Sequence, residues 1–355
     1  MTANHKFYLD LAFRIAEKNL GKTKLNPSVG TVVVKNKSVI SSGVTSLNGK
    51  PHAEFNALRK KKNYNGATLY TTLEPCTHYG QTPPCVNIIV KKKIKKVFYA
   101  FDDPDKRTYQ KAKKILKKKK ITIKLIKNFK FKNFYRYYFI NKKKKLPLIS
   151  AKIAISKDYL TISKKNRWIT NEHSRKISHL LRSMYECIIS TSKSINTDNS
   201  LLNCRINGFN THKPDLFIID LNLRLSKKLF ITNLAYKRKT FLITNKINKD
   251  KTTFFKRKGF KIILVDSLKT KNDFKFLLKY IYELGYSKVF FETGLTFLNV
   301  LFKKKLLNNL YLFKSNNKLV RNGLNNASNT LLKKIKLTKK VKVNLKDDSF
   351  YKIDF

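Results

Sequence analysis

Four residues in the first quarter of the chain have the types and spacing that a catalytic metal site requires. His52, Cys76 and Cys85 offer one nitrogen and two sulfur atoms, which are donors that zinc prefers. Three protein ligands leave one tetrahedral position open for a water, as a catalytic zinc requires. Glu54 lies two residues after His52 and could move protons between that water and a substrate nitrogen. We therefore predict one zinc ion per chain, with Glu54 as the catalytic residue.

The order of these residues indicates a deaminase. A His-x-Glu triplet followed by Pro-Cys and a further Cys is typical of zinc deaminases that act on pyrimidine-like rings. Deaminases of nucleic acids usually separate the two cysteines by two residues, whereas eight residues lie between Cys76 and Cys85. The alternative, a scatter of structural Cys and His residues, is disfavoured because His, Glu and both Pro-Cys pairs occur together and in order.

Alternating strands and helices must position these residues, and the alternation predicts layered α/β structure in both halves of the chain. Helices are predicted over 5–20, 108–117, 171–184 and 273–284, and near His52, Pro75 and Gly294. Strands are predicted over 31–34, 38–41, 67–72, 94–101, 121–125, 148–155, 187–190, 216–220, 240–244, 261–265 and 288–291.

Both metal-binding segments are expected at helix N-termini, whose partial positive charge favours thiolates. Proline at the first helical position, as at Pro75, has no N–H to satisfy there. The basic, aromatic segment 127–145 predicts a linker helix with an aromatic inner face. We place the domain boundary after it, which gives a zinc-dependent deaminase domain at 1–145 and a second α/β domain at 146–355.

The size and composition indicate an ordinary globular protein of two domains. The chain has 355 residues, of which 42% are hydrophobic, and no apolar run approaches the length of a membrane span. The first residues lack the basic-then-apolar pattern of a signal peptide. Four cysteines, two of them assigned to zinc, do not suggest a disulfide framework. These features predict a cytoplasmic protein with no membrane partner.

The formal net charge is +57, which by itself would suggest a nucleic-acid partner. The lysines are spread along the whole chain, however, and the enriched residue types are all encoded by A/T-rich codons. An AT-biased, drifting genome explains the composition better than selection for a polyanion does, so we expect no specific nucleic-acid partner. Non-specific, salt-dependent binding to RNA is still expected.

A longer motif surrounds the two cysteines. The segment from Thr72 to Cys85 reads T-L-E-P-C-T-H-Y-G-Q-T-P-P-C and resembles the motif of the bifunctional deaminase/reductase family of riboflavin biosynthesis. The resemblance continues through most of the chain, at Asn26-Pro27, Asp103-Pro104, Lys152, Asp158, Trp168-Ile169-Thr170, Leu181-Arg182, Asp198, Leu202, Arg205, Arg224 and Glu292-x-Gly294. It implies a cytidine-deaminase-like three-layer domain followed by an α/β domain similar to dihydrofolate reductase.

The resemblance also implies two activities. The first domain would deaminate 2,5-diamino-6-(5-phosphoribosylamino)pyrimidin-4(3H)-one to 5-amino-6-(5-phosphoribosylamino)uracil, with hydroxide supplied at the zinc. The second domain would reduce the ribosyl group to ribityl with NADPH. The implied partners are a small pyrimidine ribotide and further copies of the chain in a homo-oligomer.

The resemblance implies the remaining site residues, which are those that match binding positions of the family. Asn26 would contact the substrate of the deaminase, whereas His78 is as well explained as a surface loop residue. The implied NADPH-binding residues are Ala154, Trp168, Ser194, Asp198, Thr293, Gly294, Leu295, Thr296, Phe297 and Leu298. The implied substrate-binding residues of the reductase are Asn166, Arg182, Leu202, Arg205 and Glu292. Arg182 and Arg205 suit a phosphate, because guanidinium binds phosphate in a bidentate fork.

Departures from the family pattern leave two alternatives open. Thr45 replaces a usual His, and the reductase half carries changes at Asn166, Asn199, Ser200, Leu221 and Thr293. One alternative is therefore a monofunctional deaminase with a degenerate reductase domain. The other, prompted by the charge, is an RNA-binding or RNA-editing deaminase.

Overall fold

The computed structural model describes residues 3–80, 82–127, 131, 133–208, 214–338 and 340–355. Gln81 of the cysteine motif and residues 128–130 and 132 of the predicted linker helix lie outside the described residues. The chain divides into two compact units, Met1–Leu146 and Pro147–Phe355. The division falls one residue after the boundary placed from the sequence, and each unit is described by itself.

The first unit is built on one five-stranded sheet. Its strands are β1 (Gly30–Lys35), β2 (Ser38–Val44), β3 (Thr68–Thr71), β4 (Lys96–Tyr99) and β5 (Thr122–Leu125). The spatial order is β2-β1-β3-β4-β5, with β1 antiparallel to both of its neighbours and β3, β4 and β5 parallel. Its helices are α1 (Ala3–Glu17), α2 (Ala53–Leu58), α3 (Cys85–Lys91), α4 (Lys111–Lys118) and α5 (Arg136–Lys144).

Two glycines show that α1 and α2 lie on opposite faces of this sheet. A Cβ atom on Gly30 would lie 1.9 Å from the carbonyl oxygen of Ala12 in α1, and one on Gly43 would lie 2.3 Å from that of Ala53 in α2. Gly43 pairs with Thr31, the residue after Gly30, so the two absent side chains would point to opposite faces. The first unit therefore has helices on both sides of its sheet.

The aromatic inner face predicted for the linker segment is confirmed at α5. Tyr135, Tyr137 and Tyr138 are buried, and the Tyr135 hydroxyl donates a hydrogen bond to the Ser28 carbonyl at 3.0 Å. These three tyrosines of the basic segment thus form part of the core of the first unit.

The prediction of a helix starting at Pro75 is wrong. Residues 75–80 are irregular, and the next helix, α3, begins only at Cys85 with Pro84 before it. The segment finds its hydrogen-bond partners outside itself: the Glu74 N–H donates to the Phe101 carbonyl at 2.8 Å, and the Thr77 hydroxyl to the Arg107 carbonyl at 2.9 Å. Of the two cysteines, only Cys85 lies at a helix start.

The second unit contains a larger sheet, which is almost entirely parallel. The strands of the whole unit are β6 (Leu148–Ile155), β7 (Ile162–Ser163), β8 (Cys187–Thr191), β9 (Asp215–Ile219), β10 (Thr240–Thr244), β11 (Phe260–Leu264), β12 (Lys288–Glu292), β13 (Asn309–Lys314), β14 (Gly323–Leu324) and β15 (Ser349–Asp354), and all but β7 and β14 belong to the larger sheet. The order is β11-β10-β9-β8-β12-β6-β13-β15; β13 and β15 are antiparallel, and β7 pairs separately with β14. Its helices are α6 (Glu172–Ser183), α7 (Ser192–Asp198), α8 (Phe230–Leu234), α9 (Lys249–Arg257), α10 (Lys271–Glu283), α11 (Leu295–Lys303) and α12 (Thr330–Lys334).

Parallel strands align their carboxyl ends at one edge of a sheet, and ligands bind outside that edge in open α/β folds. In this unit β12 lies between β6 and β8, with Glu292 paired to Lys152. Helix α7 begins directly after β8, and α11 begins three residues after Glu292. The predicted cofactor and substrate residues at these strand ends are thereby brought to the same edge. Among the described residues, no helix is long and apolar enough to cross a membrane.

The close approach of α1 to β1 makes a stability prediction. Gly30→Ala should destabilise the first unit by about 1–3 kcal/mol, because the new methyl group would overlap main-chain atoms that cannot move aside cheaply. Calorimetric unfolding of the full chain measures this. The matched control is Gly80→Ala, whose Cβ would meet only the Lys50 ammonium at 3.7 Å. Equal effects of the two changes would contradict the packing argument.

Candidate active sites

Three segments of the first unit bring His52, Cys76 and Cys85 together. His52 immediately precedes α2, Cys76 follows the strand β3 in an irregular loop, and Cys85 begins α3. The Nδ1 atom of His52 lies 3.5 Å from Cys76 Sγ and 3.4 Å from Cys85 Sγ. The Cys85 N–H also donates to Cys76 Sγ at 3.2 Å. All four cysteines of the chain are free thiols.

The spacing of the three donor atoms fits a zinc ion. Donors that are about 2.0–2.3 Å from a tetrahedral metal lie about 3.5 Å from one another. The two nitrogen–sulfur distances match this value, and all three ligand atoms lie within 4.8 Å of one another. Among the described residues, no other group of three His, Cys, Asp or Glu side chains is arranged to hold a metal.

The two thiols are electrostatically different. A hydrogen bond from Cys85, supported by one from His52, outweighs burial and lowers the pKa of the Cys76 thiol to about 4. The same interaction with Cys76, together with burial, raises the pKa of Cys85. A thiolate is the form that binds metals, so the pocket favours a ligand at Cys76.

Glu54 is buried beside these ligands and is only 3% exposed. The Thr71 hydroxyl donates to its Oε1 and the Cys85 thiol to its Oε2, both at 3.4 Å. Burial, with the nearby Cys76, raises the pKa of Glu54 to about 7. A carboxyl group with a pKa near neutrality can both accept and release a proton during a reaction.

A second buried carboxylate, Glu74, supports the loop that carries Cys76. It accepts hydrogen bonds from the main-chain N–H groups of Asp103 (3.3 Å), Gln110 (3.0 Å) and Ala112 (3.2 Å). Burial nevertheless raises the pKa of Glu74 to about 7. Although Glu74 stands inside the cysteine motif, its supporting role was not predicted, since its three partners lie 29, 36 and 38 residues away in the sequence.

The other predicted residues of this unit line nearby loops. The Asn26 side-chain amide donates to the Gly49 carbonyl at 3.1 Å, so its oxygen is the atom left for a substrate. Thr45, which replaces a family histidine, accepts a hydrogen bond from the Val29 N–H at 2.9 Å and is buried. His78 Nδ1 lies 3.1 Å from the Thr108 hydroxyl.

In the second unit, the predicted substrate residues Arg182 and Glu292 form a bidentate ion pair. Arg182 Nε and Nη2 donate to the two Glu292 carboxylate oxygens at 2.5 and 2.9 Å. Both side chains are largely buried, with 13% and 8% exposed. Burial opposes ionisation of Glu292, but the Arg182 charge prevails and holds the pKa of Glu292 below its usual range.

Two further ionisable residues lie at this pair and were not assigned roles from the sequence. Lys152 is the sheet partner of Glu292, and burial lowers its pKa despite the nearby Glu292 charge. His179 Nδ1 lies 2.9 Å from the Asn203 carbonyl, so that nitrogen must carry the proton. Burial, followed by the Arg182 charge, lowers the pKa of His179 to about 4, which keeps the ring neutral.

The predicted cofactor residues Ser194 and Gly294 are in contact. The Gly294 N–H, at the start of α11, donates to Ser194 Oγ at 3.2 Å, and Thr191 Oγ1 donates to the same oxygen at 3.1 Å. Because main-chain N–H groups at a helix start suit phosphate, this corner can receive the pyrophosphate of a dinucleotide. Thr293 is partly exposed next to Gly294.

Trp168 and Asp198 are joined through Arg167. The Trp168 ring is 52% exposed, and the guanidinium groups of Arg167 and Arg175 each lie 5.1 Å from its centroid. Arg167 Nη2 also donates to the Asp198 carbonyl at 2.7 Å. An exposed aromatic ring held by two cations can stack on a planar ligand.

The remaining predicted residues of the reductase differ in whether their side chains are buried or exposed. The side chains of Leu295 and Leu298 are buried in the core, so only their main chains could contact a cofactor, and the partly exposed Phe297 ring stacks on Phe291. Asn166 is exposed, with its N–H on the Ser163 hydroxyl at 3.1 Å. Ala154 lies on β6 and packs against the core of the unit. Thr296 is exposed on α11.

Comparisons with known proteins cover both units. Residues 2–101 match the family model of the cytidine and deoxycytidylate deaminase zinc-binding region, and residues 147–315 match that of the RibD C-terminal domain. The riboflavin biosynthesis protein RibD of Aquifex aeolicus is 32% identical over 315 residues, which is 87% of this chain and 86% of the relative. That of Buchnera aphidicola is 29% identical over 325 residues, 86% of each chain.

Solved structures show the same fold over the whole chain. RibD of Acinetobacter baumannii superimposes with a TM-score of 0.84 at 24% identity, covering 99% of this chain and 98% of the other. The Thermotoga maritima diaminohydroxyphosphoribosylaminopyrimidine deaminase/5-amino-6-(5-phosphoribosylamino)uracil reductase gives 0.82 at 23% identity with the same coverage.

The buried ion pair makes a stability prediction. Arg182→Met should cost about 3–5 kcal/mol, because it leaves the buried Glu292 carboxylate uncompensated. Lys176→Met on the same helix removes an exposed pair with Glu172 and should cost less than about 1 kcal/mol. Trp168 is the one tryptophan of the chain, so its fluorescence during urea unfolding reports on the second unit. Similar losses in both variants would show that the pair contributes little.

Proposed function

Since the chain belongs to the RibD family of bifunctional riboflavin-biosynthesis deaminase/reductases, we propose that each unit carries one of two consecutive reactions. The first unit deaminates 2,5-diamino-6-(5-phosphoribosylamino)pyrimidin-4(3H)-one to 5-amino-6-(5-phosphoribosylamino)uracil. The second unit reduces the ribosyl group of that product to ribityl with NADPH. The observation that carries the proposal is the convergence of His52, Cys76 and Cys85 beside the buried Glu54.

His52, Cys76 and Cys85 are the proposed zinc ligands. A zinc ion bound there would lower the pKa of a water to ~7 and make a nucleophile available at neutral pH. The Cys85 N–H, hydrogen-bonded to Cys76 Sγ, disperses the charge of that thiolate. Glu74 fixes the loop that carries Cys76 through its three main-chain hydrogen bonds.

Glu54 is the proposed proton carrier. It would take a proton from the attacking water as oxygen bonds to the ring carbon that bears the amine. It would then deliver a proton to the amine nitrogen, so that the carbon–nitrogen bond breaks and ammonia leaves. A pKa raised to about 7 by burial suits both steps. Asn26 would hold the pyrimidine through its side-chain oxygen.

In the second unit the proposed cofactor corner is formed by Ser194, Gly294 and the start of α11. Asp198 ends the helix that carries Ser194, and Arg167 links the Asp198 carbonyl to the Trp168 ring. NADPH, when bound, would supply the hydride for the ribosyl carbon. Glu292 and Arg182, held in their ion pair, would orient the opened sugar, and Arg205 would provide a guanidinium group for its phosphate.

A specific observation favours one alternative, a monofunctional deaminase with a degenerate reductase domain. Thr293 and Asn199 depart from the family pattern beside the cofactor corner, as a chain with a degenerate reductase domain would show. Against it, the contact between Gly294 and Ser194 is formed. An RNA-editing role has no such support, since the relatives match both halves of the chain. A homo-oligomer and a cytoplasmic location stay predictions.

Two substitutions test the deaminase assignment. Cys76→Ala should lose zinc, because one of three ligands is gone, whereas Glu54→Gln should keep stoichiometric zinc and lose deamination by about 10²–10⁴-fold. Elemental analysis and ammonia release measure the two properties, and Cys187→Ala, in the second unit, is the thiol control. Full zinc content and turnover in Cys76→Ala would refute the ligand assignment.

Product analysis tests the combined activity. Incubating the zinc-loaded protein with the diaminopyrimidine ribotide and NADPH should give a product whose mass shows both deamination and reduction. Deamination without NADPH oxidation would support the monofunctional alternative. An unchanged substrate would overturn both assignments.

A further inference from the structure

The loop after α7 carries two of the proposed reductase substrate residues, Leu202 and Arg205, in an unfavourable main-chain conformation. Asn199 has φ 44° and Leu202 has φ 48°, both in the left-handed region. That region is uncommon for residues other than Gly, Asn and Asp, and is sterically unfavourable for a Leu. Leu202 is also buried. Contacts from elsewhere must therefore hold this loop in place.

Arg238 supplies such contacts from the end of a short 3₁₀ turn, Ala235–Lys237. Its Nη1 donates to the carbonyls of Leu202 at 2.8 Å and Pro214 at 2.9 Å, and its Nη2 donates to the Leu201 carbonyl. No carboxylate forms an ion pair with it within the described ranges. The guanidinium thus donates hydrogen bonds to three main-chain oxygens, and we call these bonds the Arg238 clamp.

Helix α6 holds the same loop from the active-site side. The carbonyl of Asn203 accepts from Arg182 Nη1 and lies against His179 Nδ1, at 2.9 Å in both cases. Three consecutive carbonyls, 201 to 203, therefore accept hydrogen bonds from two arginines. Because Arg182 also binds Glu292, the loop is tied directly to the proposed substrate-binding pair.

The geometry points to Arg238 as a positioning residue of the reductase. It fixes the main chain at Leu201 and Leu202 so that Arg205, three residues later, is presented to the substrate phosphate. Arg205 Nη2 lies 3.5 Å from Nε2 of His179, the residue whose Nδ1 contacts the Asn203 carbonyl. This inference rests on the proposed function of the second unit, and adds to it a residue that touches neither substrate nor cofactor.

Arginine suits this role better than lysine does. A guanidinium presents five N–H donors in a fixed plane and can satisfy adjacent carbonyls at once. Burial lowers the pKa of Arg238 to about 10, which leaves it charged at neutral pH. Arg238→Lys should therefore keep the charge but lose part of the clamp, and Arg238→Met should lose both.

Steady-state kinetics of the full chain test the inference. With the deaminated ribotide as substrate, Arg238→Met should raise its KM by about ten- to hundredfold, the range for losing a charged hydrogen bond. Arg238→Lys should fall between this variant and the parent. The KM for NADPH and the deaminase activity of the same chain should not change, and Arg257→Met, on the exposed end of α9, is the surface control. A KM for the ribotide that does not move would overturn the inference.

A double-mutant cycle shows whether Arg238 acts through Arg205. In an Arg205→Ala background, Arg238→Met should raise the KM for the ribotide by less than threefold, because the positioned group is already absent. Fully additive effects would mean that Arg238 acts on the fold generally, which would contradict a positioning role.

Hydrogen exchange separates failure of this inference from failure of the proposed function. If the parent chain does not reduce the ribotide, the proposed function fails, and the clamp is judged on exchange alone. Arg238→Met, or Arg238→Lys where the Met variant does not fold, should speed amide exchange over 199–208 and leave α10 unaffected. Unchanged exchange over 199–208 would overturn the clamp whether or not the chain is active.

Discussion

Three donor atoms from distant parts of the sequence must stand about 3.5 Å apart before a metal can join them, and the first unit is arranged around this requirement. Helix α2 can carry His52 into place only because Gly43 lets it lie directly on β2. The loop with Cys76 has no helix to stiffen it and depends on the buried Glu74 carboxylate. The proposed metal ligands are therefore held by residues to which we assign no part in the reaction.

In the second unit, by contrast, the proposed site is assembled at the carboxyl ends of parallel strands. The sheet itself brings Lys152 and Glu292 side by side. Helix α6 then contributes Arg182, which satisfies Glu292 with one edge of its guanidinium and the Asn203 carbonyl with the remaining nitrogen. The buried Arg182 side chain thus connects strand β12, helix α6 and the loop after α7. The ion pair and the loop conformation therefore depend on each other.

The cysteine motif and its chemistry could be predicted because His, Cys and Glu are rare types here and their order is informative. Strands such as Leu148–Ile155 were predicted at their observed bounds because continuous apolar runs are typical of parallel strands. The prediction of a helix at Pro75 was wrong, because proline occurs equally well in a loop whose hydrogen bonds are made to other segments of the chain. Helix α7, strand β13 and the clamp by Arg238 were missed, because short elements have no clear period and a long-range contact leaves no local pattern.

The burial of Glu54 and Glu74 has a consequence for how substrates arrive. From Lys106 to Lys157 the chain contains no acidic residue, and Glu54 and Glu74 are among four carboxylates buried in the first unit, so its outer surface is strongly cationic. A phosphorylated pyrimidine diffusing nearby is therefore attracted over distances near the Debye length, about 8 Å at physiological ionic strength. Such attraction raises the frequency of productive encounters without any dedicated binding residue, and added salt weakens it. The same lysine-rich composition would in this way assist the capture of an anionic metabolite.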